Sequence, residues 1–409
     1  MQEENIKTLS FGCRLNALES EKIKNMLNGR LKSAIIVNSC AVTAEAERQS
    51  GQAVRKISRE NPDVPIFVTG CAATRNPDLF NNIPNTIVVS NFDKTNVDVY
   101  LRKFAESNLS DNAKIVNFKN TDTILSKQFV QIQNGCNHKC AYCVTRLLRG
   151  NAVSFPYNEI LADVKQAVKN GFFEIVLTGV DSASYAYKTN DKVLFISDVC
   201  KMLLDDVPEI KRLRISSLDP ASPQIFKIID LIHNDTRMMP HLHLSMQSGA
   251  NDILKSMGRR HNADLVKKIV NYASDITFSW DIICGFPGET DELFNETLDL
   301  VRKTKPIKIH AFPFSPRPDT VGAIMPNQVP HYISKKRVKV ISELANKNMA
   351  DFMATQTGKT TSVLVENNNI ARTPDDIDVI IVGDSIPAKT ICDVKITEIK
   401  DSKFIGNLV

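Results

Sequence analysis

Val130-Gln-Ile-Gln-Asn-Gly-Cys136-Asn-His-Lys-Cys140-Ala-Tyr-Cys143 is the stretch on which the reading of this chain turns. Phe129, Val130 and Ile132 form an alternating apolar run that predicts a strand, and Asn134-Gly135 breaks it into a loop. The loop carries three cysteines spaced C-x₃-C-x₂-C. Thiolates are the usual ligands of iron–sulfur clusters, and spacing this tight lets one loop wrap a single cluster. Three thiolates leave one iron of a four-iron cube open to a substrate or cofactor. A zinc site or a disulfide is the alternative, but zinc normally takes four protein ligands in pairs such as C-x₂-C, and no matching second pair follows. His138 sits too close between its neighbours to close a tetrahedron and is read as a solvated loop histidine.

The 409 residues suffice for two or three domains with ordinary cores. Apolar content of 43% and charged content of 24% are those of a soluble globular protein. No apolar run reaches the roughly 18–20 residues of a membrane helix. The start, Met1-Gln-Glu-Glu-Asn5, is acidic and leads into a strand, unlike a signal or transit peptide. A cytoplasmic location, no membrane partner and a monomer are expected. Nine cysteines in such a chain point to metal or catalytic use more than to disulfides. Cys200, Cys284 and Cys392 fall in apolar periodic segments and read as small core residues. The net charge of +5 permits nucleic acid without arguing for it, and divides as +3 over 1–120, +4 over 121–351 and −2 over 352–409.

Upstream of the loop, three short apolar runs (Ile6–Phe11, Ala34–Val37, Pro65–Val68) each end a few residues before a cysteine: Cys13, Cys40 and Cys71. Helical stretches separate them. The first opens at Asn16 with Glu19 three residues on, a capping-box pattern, and stops at Gly29; the second starts near Thr43 and runs to Pro62. Steps of 27 and 31 residues between the cysteines are one βα repeat each. A parallel sheet delivers the carboxyl ends of such strands to one edge, where ligands bind, so these cysteines predict a second three-thiolate cluster site. Arg48, Arg55 and Arg59 share a helical face, solvated by default and phosphate-contacting in the sharper reading.

Gly12-Cys13-Arg14-Leu15-Asn16, Asn38-Ser39-Cys40-Ala41-Val42-Thr43 and Thr69-Gly70-Cys71-Ala72 resemble the N-terminal domain of the methylthiotransferase family. The Cys136/Cys140/Cys143 loop resembles that of radical S-adenosylmethionine (SAM) enzymes, with Tyr142 the expected aromatic between the last two ligands. The resemblance implies two [4Fe-4S] clusters, the one on Cys13, Cys40 and Cys71 being auxiliary. Cys40-Ala-Val-Thr followed by Ala44-Glu-Ala-Glu-Arg48 is similar to the branch that modifies N6-threonylcarbamoyladenosine beside the tRNA anticodon.

Beyond Cys143 the chain alternates strand candidates (Glu174–Gly179, Arg212–Ser217, His241–Met246, Thr277–Phe286, Lys308–Phe314) with helical stretches such as Asn158–Asn170 and Asp291–Thr304. With the cluster-bearing strand they make six, which fits the open (β/α)₆ barrel of radical SAM enzymes, with chemistry at the C-terminal strand ends. Gly179, Ser217 and Gln247 at those ends are expected to bind SAM. His241 and His243 are read as structural for want of an acidic or third histidine partner. Met257-Gly-Arg259-Arg260-His261 is a candidate for RNA contacts, against the commoner solvated charge run, and Ile309–Pro318 for substrate contact.

A long amphipathic helix from Arg337 to about Gln356 leads to four alternating runs separated by Asn- and Asp-rich turns, a small all-β barrel similar to the TRAM domain that grips tRNA. Its acidic balance counts against tight phosphate capture. The expected fold class is α/β in three domains: 1–120 an open parallel α/β sheet, 121–351 a partial (β/α)₆ barrel, and 352–409 a TRAM-like β-barrel. The resemblance implies SAM-dependent methylthiolation of N6-threonylcarbamoyladenosine at position 37 of tRNA, one SAM methylating the sulfur and a second supplying the radical. Isopentenyladenosine in tRNA or a ribosomal protein aspartate is the alternative substrate, and a two-cluster electron carrier the alternative class. A sulfur donor and a flavodoxin- or ferredoxin-like electron donor would be needed.

Overall fold

Short runs rich in Ile and Val, each followed by a helix, assemble the N-terminal region as parallel β/α units. The computed structural model describes residues 5–116, 118 and 126–409; Met1–Glu4 and the expected boundary at 120/121 lie outside them. Strands β1 (Ile6–Ser10), β2 (Ala34–Ser39), β3 (Ile66–Gly70) and β4 (Thr86–Val88) form a parallel sheet in that order. Ser10 pairs with Asn38 and Ser39 with Gly70, so three strands finish abreast. Thr43 caps the second helix, Ala44–Glu60, its Oγ1 accepting from Ala46 N at 3.1 Å. The first helix does not follow the expected capping box. It runs Arg14–Leu27 with Cys13 as an N-cap that makes no side-chain cap bond, because Asn16 and Glu19 are drawn into the interior.

The chain divides into two compact units. One comprises Met1–Thr123, Gly135–Ala152 and Arg317–Thr320; the other comprises Ile124–Asn134, Val153–Pro316 and Val321–Val409. The cysteine loop is therefore part of the N-terminal unit, together with all of Cys13, Cys40 and Cys71.

In the second unit, β5 (Lys127–Asn134) pairs in parallel with β7 (Glu174–Gly179) and antiparallel with β6 (Val153–Ser154). A small hairpin of β8 (Ala186–Lys188) and β9 (Val193–Phe195) follows. β10 (Arg212–Ile215) joins β7, while β11 (Ser217–Leu218) continues the same run into a second sheet with β12 (His241–Gln247), β13 (Thr277–Cys284) and β14 (Lys308–Pro313). The six parallel runs make the expected half-barrel, with Trp280, Phe278 and Ile282 on the face turned to the outer helices.

The C-terminal segment closes into a barrel in the order β15 (Thr360–Asn367), β16 (Ile370–Arg372), β17 (Asp378–Val382), β19 (Lys403–Leu408), β18 (Ile391–Lys400). β16 has three residues and escapes the sequence pattern. This barrel caps the N-terminal ends of the central strands. Arg212 donates to Arg372 O (3.0 Å) and Ser362 O (2.8 Å), Arg214 donates to Pro374 O (2.9 Å), and Thr277 Oγ1 donates to Asp375 Oδ1 (2.9 Å). Lys127 Nζ lies 3.4 Å from Asp376 and 3.8 Å from Glu366. Half of the acidic residues of 352–409 thus turn inward: Glu366, Asp376 and Asp378 also pair with Arg372. The excess negative charge read from composition is in good part internal.

His241, at this capped end, bonds with Thr277 Oγ1 (2.8 Å) and Ser279 Oγ (3.0 Å). Burial, with help from Arg214, His243 and Lys308 and against Asp376, pulls its pKa down to about 3. An unfolded histidine titrates near ~6.5. The folded state therefore binds fewer protons than the unfolded one between these values, and the stability this gives is full above pH ~6.5 and lost as pH falls. Denaturant unfolding should show stability declining below pH ~6.5 by up to about 1.4 kcal/mol per pH unit from this group, and His241→Gln should flatten that slope.

Candidate cluster sites and strand-end rim

Cys13, Cys40 and Cys71 arrive at one edge of the N-terminal sheet because each follows a strand that ends in register with its neighbour. Gly12 (φ +83°) lets the Cys40 side chain lie against the backbone of the first strand end; a Cβ there would overlap Cys40 Sγ. Gly70 (φ +97°) allows the turn into the short helix Cys71–Arg75 against Ser39. Cys13 is exposed, and Cys40 and Cys71 are buried. Burial pushes the Cys40 thiol up to about 11, and the nearby Cys71 and Cys13 add to the rise. A metal bound here must displace that proton.

Beneath this edge lies a buried charge network. Glu19 accepts from Lys94 Nζ at 2.5 Å and from Arg149 Nη1 and Nη2 at 2.8 and 3.0 Å, and all three side chains are 3–4% exposed. Arg149 also donates to Asn16 Oδ1 at 2.6 Å, and Asn16 Nδ2 donates to Phe11 O (2.8 Å) and Ser39 O (3.2 Å). Burial pushes the Glu19 carboxyl up, but Lys94 and Arg149 outweigh it and hold Glu19 below the usual carboxylate range. Asn91 Nδ2 donates to Cys71 Sγ (3.4 Å) and to Leu148 O (3.1 Å), and its Oδ1 accepts from Lys94 at 2.8 Å. A second buried carboxylate, Glu47, accepts from Arg75 (2.8 Å) and from Arg317. Sequence reading missed this network. Its one visible signal, Glu19 three residues after Asn16, looked like capping.

The 135–152 loop holds Cys136, Cys140 and Cys143 half-buried. Cys136 Sγ accepts from His138 N at 3.4 Å, and Cys143 Sγ accepts from Thr145 N at 3.4 Å. Cys136 N donates to Gly150 O (3.1 Å), and Asn137 Oδ1 accepts from Ala152 N (3.0 Å), which closes the loop on itself. Tyr142 is half-buried, and the helix Thr145–Arg149 packs its Leu148 into the core that contains Cys71. All nine cysteines are free of disulfides. Cys200 and Cys284 are core residues, whereas Cys392 is half-buried.

In the second unit, Gly179 ends β7, Ser217 opens β11 and Gln247 ends β12, all on the C-terminal rim of the half-barrel. The Cβ position of Gly179 faces the Gln133 side chain at 2.9 Å, and Gln133 Oε1 accepts from Asp181 N. Gln247 takes φ +68° after a register shift in β12, so its side chain leaves the alternation of its strand. Arg259, Arg260 and His261 converge on Asp219: His261 is buried and the Arg259 side chain is 6% exposed, Arg259 donates to Ser245 O (2.8 Å), and His261 bonds with Met246 O (3.0 Å). They brace the rim and are not a solvated charge run; only Arg260 is substantially exposed. His243 has the acidic partner that sequence did not reveal: its Nε2 lies 2.9 Å from Asp281 Oδ2, with the His310 ring at 5.5 Å. No helix among the described residues is long and apolar enough to cross a membrane.

Residues 130–301 match the radical SAM superfamily, and residues 5–90 match a family described as Uncharacterized protein family UPF0004. The chain is 39% identical to the threonylcarbamoyladenosine tRNA methylthiotransferase MtaB of Rickettsia prowazekii, over 91% of this chain and 90% of that one. It is 32% identical to the MtaB of Chlamydia pneumoniae (98% of each chain). It is 33% identical to the tRNA-2-methylthio-N(6)-dimethylallyladenosine synthase of R. prowazekii (89% and 88%). Its fold is similar to that of TsrM from Kitasatospora setae, a radical SAM methyltransferase solved with cobalamin and a [4Fe-4S] cluster (TM-score 0.54, 13% identity, 76% of this chain and 69% of that one). The radical SAM superfamily implies a [4Fe-4S] cluster and SAM, and a loop with three half-buried thiols, two of them accepting backbone N–H bonds, fits such a cluster.

Removing Glu19 would leave Lys94 and Arg149 buried without a counter-charge. Glu19→Ala should therefore destabilise the protein by about 3–5 kcal/mol in denaturant unfolding. Glu45→Ala, which breaks the exposed pair with Arg48, should leave the midpoint unchanged.

Proposed function

The chain belongs to the radical SAM methylthiotransferase family, and on that premise we propose that it converts N6-threonylcarbamoyladenosine at position 37 of tRNA to its 2-methylthio derivative. The observation that carries this is the presence of both cysteine triads in one compact unit, each in a setting suited to a cluster. Cys136, Cys140 and Cys143 hold the cluster that binds SAM, and Cys13, Cys40 and Cys71 hold a second [4Fe-4S] cluster. When bound, these groups and SAM supply the radical and the sulfur that no side chain could provide.

The chain's own residues do the rest. The thiols fix the two clusters within one body, so their separation is set by packing. At the rim, Gly179, Ser217 and Gln247 offer backbone and polar groups for SAM; in the loop, Tyr142 stands between the last two thiols. Asp219 keeps that rim in place through Arg259 and His261. The C-terminal barrel closes the opposite end of the central strands, so substrate enters from the rim. Residues 1–120 then serve as the auxiliary-cluster domain, 121–351 as the radical SAM domain and 352–409 as a TRAM-like module for tRNA. The inward pairing of half of its acids lessens the objection that its composition raised.

Nucleoside mass spectrometry of tRNA from a host lacking its own methylthiotransferases tests this. Expression of the chain should yield methylthio-threonylcarbamoyladenosine. Methylthio-isopentenyladenosine instead would assign the other tRNA substrate, and no methylthio-nucleoside from protein with full iron content would point to the ribosomal aspartate. Cys140→Ala should abolish SAM cleavage. Cys40→Ala should leave cleavage intact and stop sulfur transfer; product from that variant would overturn the role given to Cys13, Cys40 and Cys71.

A further inference from the structure

The buried network under the N-terminal thiols has more in it than a fold requires. Two cations, Lys94 and Arg149, meet the Glu19 carboxylate inside the protein. Arg149 lies within electrostatic reach of Cys13, Cys40 and Cys71, and Lys94 within reach of Cys71. Asn91 completes the connection. It donates an N–H to Cys71 Sγ at 3.4 Å, donates a second to Leu148 O at 3.1 Å, and accepts from Lys94 at 2.8 Å. Leu148 and Arg149 both belong to the helix that follows Cys143.

We propose that Asn91, Lys94 and Arg149 are positioning residues that hold the auxiliary cluster against the loop of the SAM-binding cluster and raise its reduction potential. This rests on the second-cluster reading above. A cluster held by three thiolates bears net negative charge, and reduction adds to it. Cluster potentials respond to nearby charge, to hydrogen bonds on sulfur and to solvent exposure. Buried cations beside the thiols and an N–H donated to a ligand sulfur both favour the reduced, more negative state. Glu19 acts in the opposite sense by neutralising one of the two cations.

The test uses a chain in which Cys136, Cys140 and Cys143 are all replaced by Ala, so that only the N-terminal site can take up a cluster after anaerobic reconstitution with iron and sulfide. Redox titration followed by electron paramagnetic resonance then reads that cluster alone. Lys94→Met, which leaves Glu19 paired with Arg149, should shift the midpoint to more negative values, as should Asn91→Ala. Glu19→Gln should shift it the other way. A packing defect gives no reason for opposite signs. Unchanged midpoints in Lys94→Met and Asn91→Ala, at unchanged iron content, would overturn the inference and leave the second cluster standing. Failure of the parent chain to take up any cluster would instead overturn the second-cluster reading, and this inference with it.

Discussion

Glu19 buried between Lys94 and Arg149 is the interaction on which the N-terminal unit depends. A carboxylate at this depth is tolerable only with its counter-charges in place. One of those, Arg149, is supplied by a segment 130 residues further along the chain. The same solution appears at Glu47, which takes Arg75 from the short helix after Gly70 and Arg317 from a distant segment. Each ion pair thus does two tasks: it satisfies a buried charge, and it fixes a loop that carries or borders the chemistry. For Arg149 that loop holds Cys136, Cys140 and Cys143, and the pairing ties it to the sheet whose strands lead to Cys13, Cys40 and Cys71.

The strands, their parallel order and the arrival of Cys13, Cys40 and Cys71 just past strand ends in register were legible in sequence, because apolar runs, glycine breaks and cysteine spacing are local signals. The half-barrel followed from the recurrence of such runs, and β12 and β13 lie close to their expected bounds. What failed was long-range. Asn16 and Glu19 have the spacing of a cap, yet their side chains are taken by Ser39, Lys94 and Arg149, none of which is near in sequence. The partner of His243 is Asp281 on the neighbouring strand, a pairing set by sheet register. Arg259 and His261 look like part of a charged surface until Asp219 is placed beneath them.

The acidic C-terminal segment makes the same point with charge. Counting residues assigns it a repulsive character towards phosphate, but Glu366, Asp376 and Asp378 face Arg372, and Glu366 and Asp376 also face Lys127. Those charges hold the barrel to the N-terminal strand ends. Composition sums charges without direction, and direction decides what a ligand meets.

The N-terminal unit is discontinuous along the chain, drawing on residues up to Thr320. During synthesis its sheet emerges from the ribosome long before Arg149 and Arg317, so Glu19 and Glu47 lack their distant counter-ions while most of the polypeptide is still unmade. The unit can close only after the central strands have been translated. Maturation is thereby coupled across the chain: Glu19 waits for the helix that follows Cys136, Cys140 and Cys143, and Glu47 waits for a segment beyond the last central strand.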